Sequence, residues 1–164
     1  MTKELLKALG RCRIIDKSLA EKWLGVTEEE LESLKEQKLI SVELVQDDLQ
    51  VHSYYTLTEK GEKVLKEEVP AFGEIYRGFI VEHDLCLMEF YLKRTAEEKE
   101  TWQTRDDMTK KYRLPGTLDG AFTNEKGEFE GVEVISKTAK PSVVEKAESF
   151  IKEVNIQRMN YLLY

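Results

Sequence analysis

With 164 residues, 41% of them hydrophobic, the chain has the composition of an ordinary soluble globular protein, enough for one compact domain or two small ones. Its 25 basic and 32 acidic residues leave a net charge of −7, and the stretches before and after Pro70 are both acidic, which excludes a generic polycation. Nucleic-acid contact is then left to local patches: Lys3, Lys7, Arg11, Arg13, Lys17 and Lys22 near the start, and Lys110, Lys111 and Arg113 further on.

In chain order, Leu5, Leu6 and Leu9 predict a first helix that stops at Gly10. Asp16 or Ser18 caps a second, with Leu19, Ala20, Trp23 and Leu24 as its buried stripe and Gly25 as its turn. A capping box, Thr27 with Glu30, opens a third helix in which Leu31 and Leu34 face inward and Glu28, Glu29, Glu32 and Glu36 face out. After Leu39-Ile40 the period changes to two, and Val42, Leu44, Val51, Ser53 and Tyr55 flank a hairpin turn at Gln46-Asp47-Asp48. Thr58 caps a short helix holding Val64 and Leu65, and Pro70 closes the unit. Helix, helix, helix, hairpin, helix is the order of a winged helix-turn-helix, so residues 1–70 are read as one such domain.

Residues 71–164 are read as a small α/β domain, making the chain α+β as a whole. A broad apolar stripe from Ile75 to Leu92 predicts a helix over 73–93 that packs on a sheet or a partner. The charged stretch 95–113 is compatible with helix or loop. Residues 118–123 and 131–136 predict an antiparallel pair joined at 124–128, Pro141 opens a helix with Val143, Val144, Ala147, Phe150, Ile151 and Val154 on one side, and 161–164 is a last strand. Cys12, Cys86, His52 and His83 stand at no metal-ligand spacing, so no structural zinc site is expected. No apolar run approaches the roughly 20 residues of a membrane span, and the chain opens on a charged helical pattern with no apolar leader. A cytoplasmic protein of prokaryotic type, with reduced thiols and no membrane partner, is expected.

The run Tyr54-Tyr55-Thr56-Leu57-Thr58-Glu59-Lys60-Gly61, His83-Asp84-Leu85, Asp119-Gly120 and Glu133, in that order, resembles the replication-relaxation family of bacterial plasmids and mobile elements. The resemblance implies a winged-helix DNA-binding module fused to a small α/β domain, acting in replication, mobilisation, transfer or transcriptional control of a plasmid, phage or integrative element. The second half also resembles a reduced, degenerate restriction-endonuclease-like core. There two carboxylates anchor a divalent metal and a lysine helps to activate water. Asp119 and Glu133 match the carboxylates as candidate catalytic and metal-binding residues, with Glu82, Asp84 or Glu89 as further acids. The lysine position, two residues after Glu133, is Ile135, and Lys137 would have to reach back about 6 to 7 Å along the strand. A plain Asp-Gly turn and a solvent-facing Glu133 are the simpler account, and His83-Asp84 reads more readily as a packing pair than a catalytic one. No serine or cysteine stands in a nucleophile motif.

Three functions follow. In the first, double-stranded DNA is the partner: Thr27, Ser33, Lys35 and Gln37 lie near bases, Gln50 and His52 of the wing near the minor groove, and Lys17 and Lys22 on phosphates. The acids of the third helix oppose that docking. In the second, the module has lost DNA binding: the acidic helix meets a basic protein, or the apolar helix of 73–92 forms a homodimer. The third is a metal-dependent nuclease, the one reading that needs a cofactor, Mg2+; the other two need none.

Overall fold

The computed structural model describes residues 2–46, 49–114 and 117–164. Its first helix, α1 (Thr2–Cys12), turns Leu5, Leu6, Ala8, Leu9 and Cys12 inward and runs straight through Gly10. The predicted stop there is instead a packing position. A Cβ on Gly10 would lie 2.6 Å from the Phe72 ring and 2.7 Å from Leu65, so glycine lets both side chains close on the helix. A two-residue strand, β1 (Ile14–Ile15), follows; it is too short to leave a periodic signal. Asp16 caps α2 (Lys17–Leu24) by accepting from Leu19 N–H, and left-handed Gly25 ends it. Ala20 is buried, but Trp23 is 38% exposed and sits beside the Lys22 ammonium, 5.4 Å from the ring centroid, a setting that suits an amphipathic ring.

The capping box of Thr27 and Glu30 opens α3 (Glu28–Glu36), with Leu31 and Leu34 buried. Next, β2 (Ile40–Gln46) and β3 (Val51–Leu57) pair antiparallel, Ile40 opposite Leu57 and Gln46 opposite Val51, and β1 joins the far side of β3 in the order β1-β3-β2. The predicted turn falls on Asp47 and Asp48, which lie outside the described residues. Val42, Leu44, Val51 and Tyr55 share one face of the hairpin; Tyr55 is buried at its root, while Leu44 and Val51, further out, are 66% and 62% exposed. Thr58 caps α4 (Glu59–Glu68), accepting from Gly61 N–H and donating its hydroxyl to the Lys38 carbonyl. Gly61 is needed for close approach: a Cβ there would run into the Leu39 carbonyl oxygen.

The helix predicted over 73–93 is shorter in the structure. Residues 73–80 form an irregular strap, and α5 spans Val81–Leu92. Strap N–H groups are committed elsewhere, Glu74 to the Asp107 carboxylate at 2.7 Å, Tyr76 to the Gly10 carbonyl at 2.9 Å and Arg77 to Asp106 at 3.0 Å, so no helical ladder forms. The charged stretch resolves into α6 (Ala96–Glu100), β4 (Gln103–Thr104) and α7 (Arg105–Tyr112), both helices opened by threonine capping boxes. Then come β5 (Gly120–Thr123), β6 (Phe129–Ile135), α8 (Pro141–Val154) and β7 (Arg158–Leu163). They form a sheet in the order β4-β5-β6-β7, antiparallel except for β6 with β7, which run parallel and are joined through α8.

Helix α5 packs against α1 and β1 as well as β6 and β7. A single cluster of buried side chains therefore runs from Leu5 in α1 to Val134 in β6, across Pro70, and Met108, Leu118, Ala147 and Phe150 belong to a smaller one. The chain is α+β. No helix among the described residues is long and apolar enough to cross a membrane.

Candidate functional site

The basic residues predicted to face nucleic acid are largely turned inward or paired. On α1, Lys7 pairs with Glu100, and Arg11 with Asp107 at 2.9 Å while its guanidinium lies 4.1 Å from the Phe72 ring centroid. Arg13 pairs with Asp84 and with Glu43, the latter at 2.9 Å. These three residues join the first helix to acids of α5, α6, α7 and β2 rather than to solvent. In α2 and α3, Lys17 meets Glu28 at 2.8 Å and Lys35 meets Glu32 at 2.8 Å. Further on, Lys110 pairs with Glu74, and Lys111 lies 4.9 Å from the Tyr112 ring centroid.

The polar residues of the predicted reading surface serve local structure. Thr27 accepts from Glu30 N–H as the cap, and Gln37 donates to the Ser33 hydroxyl at 3.1 Å. His52 is half-buried with its ring 6.4 Å from that of Tyr54, and Gln50 is exposed just before β3. What α3 does present to water is Glu28, Glu29, Glu32 and Glu36. One concavity, about 630 Å3, gathers lysines: Lys35, Lys38 and Lys60 line it with Ile40, Ser41, Thr58 and Glu59.

The second assembly is a buried ion cluster. Helix α5 brings His83 and Asp84 inward; Asp119 precedes β5, Glu133 projects from β6, Arg105 begins α7 and Tyr76 comes from the strap. His83 Nε2 lies 3.0 Å from Asp119 Oδ2 and Nδ1 lies 3.0 Å from Asp84 Oδ1. Burial works against the charged imidazole, but hydrogen bonds to Asp119 and Asp84 outweigh it and lift His83 to about 9, so both ring nitrogens donate at neutral pH. Asp119, 1% exposed, also accepts from Arg105 and from Val134 N–H at 2.8 Å; burial opposes its ionisation, yet His83 and Arg105 hold it below the usual aspartate range. Asp119 N–H donates to Glu133 Oε2 at 3.2 Å. Burial, with the nearby Asp119 charge, pushes Glu133 up to about 8, so at neutral pH it is mostly protonated. The Tyr76 hydroxyl donates to Asp84 at 3.2 Å.

Asp119 and Glu133 lie side by side, joined through the Asp119 backbone N–H, but the rest of a nuclease site is not assembled around them. Lys137 is exposed at the end of β6, and the cation beside Asp119 is Arg105. Glu82 and Glu89 are exposed, and Asp84 is engaged by Arg13, Tyr76 and His83. No group of three His, Cys, Asp or Glu side chains among the described residues is arranged to hold a metal ion. Asp119, whose two oxygens already accept from His83, Arg105 and Val134 N–H, does not fit as a ligand of Mg2+. The roles of Arg105 and Tyr76 escaped sequence reasoning because neither stands in a recognisable motif. His83 and Asp84 are buried and bridge distant elements, His83 to Asp119 and Asp84 to Arg13.

No family model, no curated protein and no solved structure matches the chain.

Proposed function

We propose that the first seventy residues are a winged helix-turn-helix that docks a basic protein partner rather than duplex DNA. The element order α1, β1, α2, α3, β2, β3, α4 supports the winged helix. One observation carries the choice of partner: the face α3 turns to solvent holds Glu28, Glu29, Glu32 and Glu36 against only Lys17 and Lys35, which pair with two of them, while Lys7 and Arg11 of α1 are spent on ion pairs elsewhere in the chain. Such a face repels phosphate and attracts Lys- or Arg-rich surface. The resemblance to replication-relaxation proteins supports a place in the replication, mobilisation or transfer of a mobile element. There the α/β half, a reduced nuclease-like core, acts as scaffold rather than catalyst.

A second reading, DNA binding, is favoured by the concavity of Lys35, Lys38 and Lys60. Fluorescence anisotropy separates the two. A labelled lysine-rich helical peptide is expected to bind, and to lose roughly tenfold in affinity when Glu28, Glu29, Glu32 and Glu36 become Gln. Labelled duplex should show no saturable binding even at low salt. Salt-sensitive duplex binding that disappears when Lys35, Lys38 and Lys60 are replaced by Ala would overturn the proposal in favour of DNA.

A further inference from the structure

We infer that the outer edge of β2 pairs with β2 of a second copy of this chain, joining two molecules in one continuous antiparallel sheet about a two-fold axis. The order β1-β3-β2 leaves β2 hydrogen-bonded on one side, and among the described residues no other strand pairs with it. This edge spans seven residues, Ile40–Gln46, and contains neither proline nor lysine, the devices that keep an exposed edge from pairing. Its single charge, Glu43, is drawn to Arg13 at 2.9 Å. By contrast β1, the other edge of the same sheet, is two residues long and buried.

Charge narrows the place and the register, and exposure, 66% at Leu44 against 36% at Val42, chooses between the registers centred on these two residues. Two chains of net charge −7 repel over most of their surface, α3 above all, and β2 is a stretch on which they meet with little repulsion. A dyad normal to the sheet opposes residues of the same face. Centred on Glu43, it would set two carboxylates against each other. Centred on Leu44, it sets Leu44 opposite Leu44 of the second copy, Val42 opposite Gln46 and Glu43 opposite Val45, and it brings together the hairpin faces on which Leu44 and Val51 are 66% and 62% exposed. Contact on the order of 1,000 Å2 in total lies at the low end for specific association. The inference goes beyond the docking reading, since it uses the edge of β2 and not the acidic face of α3.

Cross-linking tests it. In a Cys86→Ser background, with Cys12 buried, Leu44→Cys should form an intermolecular disulfide under mild oxidation roughly tenfold faster than Ser41→Cys or Ser53→Cys, because only Leu44 faces its own copy at pairing distance. Sedimentation velocity of the unmodified chain from about 1 to about 200 µM should show a reversible dimer, weakened roughly tenfold or more by Leu44→Lys. A monomer across that range, equal cross-linking in all three cysteine variants, or a dimer indifferent to Leu44→Lys overturns the inference. None of these outcomes depends on whether α3 binds the peptide or DNA.

Discussion

Replacing Asp119 by Asn removes one charge and almost no volume from the ion cluster. In the native chain the carboxylate accepts from His83, from Arg105 and from Val134 N–H while only 1% exposed. An asparagine has one oxygen for three donors and no charge to offset two cations. Breaking a buried pair by removing one partner costs about 3–5 kcal/mol. Two relaxations favour the lower end: the Arg105 side chain, 35% exposed, can turn toward water, and His83 can shed its proton. The expected loss is about 3 kcal/mol at pH 7, which for a chain of this size lowers Tm by roughly 6–12 °C. Urea unfolding followed by tryptophan fluorescence measures the loss, and an NMR titration of the His83 ring measures its cause, a fall from about 9 by a unit or more. A loss below about 1 kcal/mol, with His83 still titrating near its native value, would show that the cluster is too well solvated for pairing to matter.

Three further outcomes follow from the same structure. Stability should decline from mildly acidic to alkaline pH: Glu133 is raised to about 8 and His83 to about 9, so each contributes fully below its unfolded value and loses that contribution as pH rises through the folded one, while depressed Asp119 contributes throughout this range and loses its contribution only as pH falls into strong acid. Thermal melts at several pH values should show that decline, and Glu133→Gln should flatten its lower part; a melting point that rises toward pH 9 contradicts the assignment. Gly61→Ala should cost more than about 2 kcal/mol, since its Cβ meets a backbone oxygen of Leu39 that cannot swing away, and an unchanged denaturation midpoint would mean α4 shifts freely. Thr27→Ala should cost about 1 kcal/mol through loss of the α3 capping box, read from the same curves; no change would mean that water replaces the cap.

Much of the fold was legible because it rests on local chemistry. The caps at Asp16, Thr27 and Thr58, the period-two pairing of Val42, Leu44 and Tyr55, and Pro141 at the head of α8 all act within a few residues of themselves. The misreadings fall where a distant segment intervenes. Gly10 looked like a stop and is a socket for Phe72; the strap of 73–80 has the apolar content of a helix, but Asp106, Asp107 and Gly10 claim its N–H groups.

The site divides in the same way. Sequence alone determined that α3 is acidic, that Asp119 lies at the head of one strand and Glu133 on its neighbour, and that His83 and Asp84 share a helix, because helical and strand periods place residues without reference to the rest of the chain. Tertiary structure alone decided that Lys7, Arg11 and Arg13, which read as a surface patch, face Glu100, Asp107 and Asp84 across more than seventy residues, and that Arg105 rather than Lys137 stands beside Asp119. A charge carries no label for its partner. Which opposite charge it meets depends on how α5 packs between the two sheets and on the desolvation that makes each buried cation require an acid.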